Sequence, residues 1–219
     1  MLLEGVDVER DLAAVLCTLF STIYIVGQFA EWLGWLGSAG GPESASTAFG
    51  LVVLLTPSLL LGSAFLVLVV SIHQITARDR KVWSLAALAF AASYTVLVSI
   101  VYFVQLTLVA PRIAQDRITG IEPFLFVPFD SFLYSVDILG YSFMSVATLF
   151  AGQALSGPGI ERFARFWLTA NGLLLPFLAL QIYFHPLIWI ASLWAITFPA
   201  STVALALLFH RAVPEGAKT

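Results

Sequence analysis

The sequence predicts an all-α polytopic membrane protein: a bundle of six transmembrane helices with both termini cytoplasmic. Three observations predict it. First, 60% of the 219 residues are hydrophobic and only 11% are charged, with a mean hydropathy of +0.96. A soluble domain carries roughly 45–50% apolar and about 25% charged residues, so the chain lacks the polar skin a water-soluble fold needs. Disorder, a coiled coil and a nucleic-acid binder are excluded by the same numbers. Second, six apolar runs reach the roughly 20 residues that a helix needs to cross a bilayer. Third, the few basic residues fall almost entirely on one side of those runs.

Span 1 is read at roughly 12–36 and ends in Trp32 and Trp35. The residues before it, with Glu4, Asp7, Glu9 and Asp11 against Arg10 alone, lack the basic start of a secretory signal, so span 1 is expected to remain in the mature chain. The Gly/Ser-rich stretch 37–46 reads as a flexible connector; it has no Lys and no following polar helix to make a phosphate cradle. Span 2 is expected at roughly 48–75, followed by a tight charged turn of Arg78, Asp79, Arg80 and Lys81. Span 3, roughly 82–109, is expected to stop at Pro111, which cannot donate to a helical hydrogen bond. A longer connector leads to span 4 at roughly 130–154. Span 5 covers roughly 164–184, with Pro176 as a point of kinking, and His185-Pro186 turns it into span 6, roughly 187–209. The runs are continuous and about twice the ~10 residues of an outer-membrane strand, which selects helices over a barrel. No repeat relates spans 1–3 to spans 4–6.

Orientation follows from the basic residues. Arg10, Arg78, Arg80, Lys81, Arg162, Arg165, Arg211 and Lys218 lie on the side of the termini; only Arg112 and Arg117 lie on the other. The termini are therefore expected in the cytoplasm, and the membrane is expected to be the inner one of a bacterium. Trp32, Trp35 and Trp189 then fall near the outer interface, and Trp83 and Trp167 near the inner one, where amphipathic rings settle. Ala87 with Ala91 and Ala147 with Ala151 offer small-residue helix contacts. Cys17, the only cysteine, allows no intrachain disulfide and reads as a small core hydrophobe.

Polar groups within a bilayer are expensive, so their placement is informative. On span 4, Asp130, Tyr134, Asp137, Tyr141, Ser145 and Thr148 fall within an arc of about 80°, opposite Phe132, Leu133, Val136, Leu139 and Phe143. Asp137 is about 10 Å deeper than Asp130 at the helical rise. Span 1 carries a stripe of Ser21, Tyr24, Gln28 and Glu31; span 3 offers Tyr94, Tyr102 and Gln105, with Arg112 just beyond; span 5 offers Asn171, Gln181 and His185.

The favoured reading is a protein of the lipid bilayer with an outward-facing acidic cavity that binds or translocates a cationic or proton-linked small molecule or ion. Spans 1, 3, 4 and 5 would surround the cavity, and span 6 would serve mainly for packing. Asp137 is its central charge, Tyr141 and Gln105 orient the ligand, and Glu31 and Asp130 form the mouth. Gln28, Gln181 and His185 complete the polar lining, with Arg112 as gate or counter-ion. Two alternatives stand beside it: a membrane enzyme acting on a lipid or isoprenoid with Asp137 and His185 as acid and base, and an accessory or sensory subunit whose polar face pairs with an oligomeric or membrane partner. No cofactor is assigned. His73 and His210 share a leaflet but sit at interfaces, which disfavours haem ligation. The three histidines lie at different span ends, which rules out a three-histidine metal site; His185 with Asp130, Asp137 and Glu31 is the one set available, and no metal is assigned. Ser142 lacks a nucleophile elbow.

Two segments, YFVQLTLVAPR at 102–112 and DILGYSFMSVATLFAG at 137–152, resemble stretches of uncharacterised small bacterial six-span integral membrane proteins. That group has no assigned activity, so the resemblance implies a six-span fold and no catalytic residues.

Overall fold

The computed structural model describes residues 2–212, with side chains described from residue 9 to residue 210. The side chains of Glu4, Asp7, Arg211 and Lys218, used in the charge count, lie outside that range. Six helices are long and apolar enough to cross a membrane: Glu9–Trp32, Ala48–Ile75, Arg78–Ile113, Phe132–Ala154, Ile160–Leu180 and His185–His210. They are spans 1 to 6. Each packs on its neighbour in sequence, and span 6 returns to pack on span 1, so the spans form a closed ring. The two ends of the described chain meet at one end of the bundle, where His210 Nδ1 lies 3.4 Å from an Asp11 carboxylate oxygen.

Local chemistry moves several boundaries from their expected places. The first helix starts at Leu2, before the expected residue 12, and stops at Trp32 rather than 36. Gly34 and Gly37 take positive φ (75° and 90°), a conformation natural to glycine. The Trp35 and Gly41 amides then turn back onto the Ala30 and Trp32 carbonyls at 2.9 and 2.8 Å. The connector is therefore folded onto the end of span 1 instead of hanging loose. Span 2 is capped by Thr47, whose hydroxyl accepts from the Gly50 amide at 3.0 Å.

Span 3 does not stop at Pro111. It passes through one π-helical turn, Gln105–Val109, in which the Ala110 amide donates to the Gln105 carbonyl, and continues to Ile113. The wider turn accommodates a residue that has no N–H and whose ring crowds the preceding turn. Pro176 has the opposite effect: span 5 breaks after Gly172 and resumes over Leu175–Leu180, ending short of the expected 184. Span 4 starts at Phe132, capped by Ser131, which accepts from the Tyr134 amide.

The ring turns its polar groups inward. Tyr134, Asp137, Tyr141, Ser145 and Thr148 of span 4 are buried, while Phe132 (72% exposed) and Leu139 (45%) face out. Leu133 departs from the expected pattern and is buried with the polar face. Lipid is as apolar as these outer side chains, so close packing and internal hydrogen bonds hold the spans together. Ala87, Ala91, Ala147 and Ala151 are fully buried. The tightest crossing was not anticipated: a Cβ built on Gly172 would lie 2.6 Å from Leu149 Cβ and 2.8 Å from its Cα, and one on Gly152 would lie 2.7 Å from Thr169 Oγ1. Spans 4 and 5 therefore meet almost backbone to backbone.

Asn171 stitches three spans. Its amide donates to Thr148 Oγ1 at 3.1 Å, and its carbonyl oxygen accepts from Thr197 Oγ1 at 2.9 Å. Interhelical bonds of this kind are worth about 0.6–1.7 kcal/mol each in a membrane. Asn171→Ala should cost about 1–3 kcal/mol in reversible unfolding from mixed micelles; unchanged stability would show that the network contributes nothing.

At the end of the bundle where the described chain begins and finishes, basic side chains cap the helices. Arg80 donates to the Gln153 carbonyl at 2.9 Å and Lys81 donates to the His73 carbonyl, each near the C-terminus of a span. Cations at the negative end of a helix dipole are favourable. His73 is bonded to Ser84 and His210 faces Asp11, so these two histidines are engaged separately. Cys17 is buried.

In the middle of the ring, five aromatic rings close on one another. Phe65 meets Tyr94 at 5.6 Å and Phe198 at 5.7 Å; Tyr141 meets Tyr94 at 5.8 Å and Trp194 at 5.9 Å; Trp194 stacks on Phe198 at 5.3 Å. Each such contact adds about 0.5–1.5 kcal/mol beyond simple burial. Spans 2, 3, 4 and 6 are thereby joined by an aromatic floor.

Candidate functional site

Above that floor, toward the end of the bundle away from the termini, lies a cavity of about 180 Å³. Each wall follows from the placement of its element. Span 1 supplies Tyr24, Gln28 and Glu31, the inward stripe of its last turns. Span 2 supplies Leu51, Leu54 and Leu55 from its first turns. Span 4 supplies Tyr134, Asp137 and Tyr141, and span 5 supplies Gln181. Tyr102 is the contribution of span 3. Span 6, expected to serve mainly for packing, also forms a wall through Ala191, Ser192 and Trp194. The mouth is framed by Pro42 and Ser44 of the first connector and Phe126 and Pro128 of the third.

Of the nine residues singled out from sequence, the cavity brings together Gln28, Glu31, Asp137, Tyr141 and Gln181. The other four lie elsewhere. Gln105 is fully buried, and its amide donates to the Phe124 carbonyl at 2.7 Å, so it anchors the third connector instead of facing the cavity. Asp130 is exposed and does not line the cavity, because Ser131 caps span 4 just inside it. Arg112 is half-buried beyond the π turn, away from the cavity. His185 is exposed; its Nδ1 lies 3.1 Å from a Glu43 oxygen and its ring stacks on Phe129 at 4.1 Å. It pins three connectors together at the rim and is not paired with Asp137.

Glu31 is the largest departure from expectation. Read as an interfacial charge at the mouth, it is 2% exposed, and neither carboxylate oxygen has a hydrogen-bond partner. Its carboxylate rests against the first turn of span 2 because Gly50 makes room: a Cβ there would lie 2.9 Å from Oε2. The amino end of a helix dipole favours such a negative group. Asp137 is 7% exposed, with Oδ1 unpartnered. Its neighbour Tyr102 donates to the Tyr141 hydroxyl at 3.0 Å, and Tyr24 bonds Gln28 Oε1 at 3.0 Å. Each carboxylate-bearing region of the wall thus has its own tyrosine hydrogen bond.

Among the lining side chains described there are two carboxylates and neither Lys nor Arg. Among the described residues, no group of three or more His, Cys, Asp or Glu is placed to hold a metal ion. The polar face of span 4 is covered by the protein's own spans.

Sequence reasoning missed Trp194, Ser192 and Gly50. Trp194 lies in an apolar run with no polar stripe to set its direction, and Gly50 gains its meaning only from the carboxylate packed on it. The chain matches no known protein-family model, no curated protein and no solved structure.

Proposed function

We propose that the bundle binds a small cationic ligand in this cavity, entering from the side of the membrane opposite the termini. The observation that carries the reading is the pair Glu31 and Asp137: both are buried, both have partnerless oxygens, and both line one cavity whose described lining has no base. An unpaired buried carboxylate costs several kcal/mol, and an incoming cation offsets that cost. The excess of basic residues at the opposite end supports a cavity that opens outward. Tyr141 and Trp194, which line the cavity, belong to the five-ring cluster across spans 2, 3, 4 and 6, so translocation past that cluster requires its rings to part, whereas binding alone does not. The enzyme reading is weaker because its proposed pair is separated: His185 is held at the rim by Glu43 and Phe129.

Accessibility tests this reading. With Cys17 replaced by Ala, Tyr141→Cys should react with membrane-impermeant thiol reagents added from the side opposite the termini. A cationic reagent should react at least about 10-fold faster than an anionic one, since a cavity lined by one sign of charge concentrates the opposite sign. Lack of reaction with either reagent would exclude a water-filled cavity, and equal rates would exclude a cation site.

A further inference from the structure

We infer that the ligand is a linear aliphatic diamine, held by one ammonium at Asp137 and the other at Glu31; the inference rests on the cation-binding reading above. The two carboxylates belong to separate neighbourhoods. Glu31 is at the outer end of span 1, against Gly50 of span 2. Asp137 is on span 4, more than a turn inside its N-terminus, among Tyr102, Tyr134 and Tyr141. Each has an oxygen without a partner.

Most of the rest of the same cavity's lining is apolar or aromatic, with Leu51, Leu54, Phe126 and Trp194 among it. A cavity lined by two carboxylates on different spans and otherwise largely by apolar side chains matches two positive charges joined by methylenes. Each ammonium has three donors, as a lysine head does, to offer a carboxylate and nearby hydroxyl or amide oxygens. Tyr24, Tyr134 and Trp194 also line the cavity, and aromatic rings attract an alkylammonium over their faces. A divalent metal ion fits less well. It needs several oxygen ligands converging at about 2.0–2.6 Å, and among the described residues no three acidic, His or Cys side chains converge. The cavity of about 180 Å³ has room for a short chain.

The test is titration of the full-length protein in lipid nanodiscs, read by the fluorescence of Trp194 and Trp32, which line the cavity. The probes are n-butylamine, the α,ω-diamines of three to six carbons, and MgCl2. One diamine should bind about 10- to 100-fold more tightly than butylamine, the worth of one further charge-assisted hydrogen-bonded contact. Glu31→Gln should erase that preference, so that within the variant the diamines bind no more tightly than butylamine. Glu31→Asp, which keeps the charge but draws it back by one carbon, should restore the preference and move it to a longer diamine. Equal binding of mono- and diamines, or a preference untouched by Glu31→Gln, would overturn the diamine and leave a single-point cation site. Saturation by Mg2+ that displaces the amines would overturn it in favour of a metal. Binding of none of the probes would overturn the diamine and the cation reading together.

Discussion

Asp137→Asn is expected to weaken cation binding by at least about 100-fold while the protein stays folded. Truncating one partner of a buried charge pair costs about 2–5 kcal/mol in binding, and a factor of 100 is about 2.7 kcal/mol. Stability should move the other way or not at all. Without ligand, Asp137 is a buried carboxylate with an unpartnered oxygen, and a neutral isostere relieves its desolvation. Binding by titration and unfolding in micelles should therefore separate: affinity falls and the midpoint holds or rises. If the protein is a carrier, the same variant should abolish cation-driven flux in proteoliposomes. Turnover of a lipid substrate in detergent, lost in Asp137→Asn, would favour the enzyme reading instead. A variant that binds cations normally would make Asp137 a helix tie and nothing more.

The second large effect is structural. Gly172→Ala should destabilise the protein by the upper part of the about 1–3 kcal/mol that overpacking costs. The added carbon would meet the Leu149 backbone, at 2.8 Å from both its N and Cα, and backbone cannot turn aside as a flexible side chain does. Leu173→Ala, one residue on and 60% exposed toward lipid, is the matching control and should leave stability nearly unchanged. If Gly172→Ala unfolds at the same point as the parent protein, spans 4 and 5 do not approach as closely as described.

These two residues also show what the amino-acid order discloses. Asp137 is legible because charge is scarce and because helical projection aligns it with Tyr134 and Tyr141; its burial follows from the outward apolar face of Phe132 and Leu139. The number of spans is legible for the same reason, since hydropathy needs no tertiary information. Gly172 is not legible as a crossing point: a glycine before a Leu-Leu-Leu-Pro run signals a break, and only the approach of Leu149 gives it a packing role. The place of Glu31 near the outer end of its helix is legible, but its burial is not, because its environment is made by Gly50 of another span. Gln105 lay on a plausible face, but the π turn that holds it and the Phe124 carbonyl that takes its amide come from tertiary structure. Directions within one helix are readable; which neighbour a side chain meets is not.

A ring in which sequence neighbours are spatial neighbours has a single seam, here between spans 1 and 6, where the hydroxyls of Thr18 and Thr202 meet at 2.8 Å. During synthesis each span can settle against the one inserted just before it, and the seam alone must wait for the last. Until span 6 arrives, the inward faces of Tyr24, Asp137 and Asn171 border an unfilled slot open to lipid. A nascent chain that stalls after span 5 therefore leaves a carboxylate and an amide without the span that covers them in the finished protein.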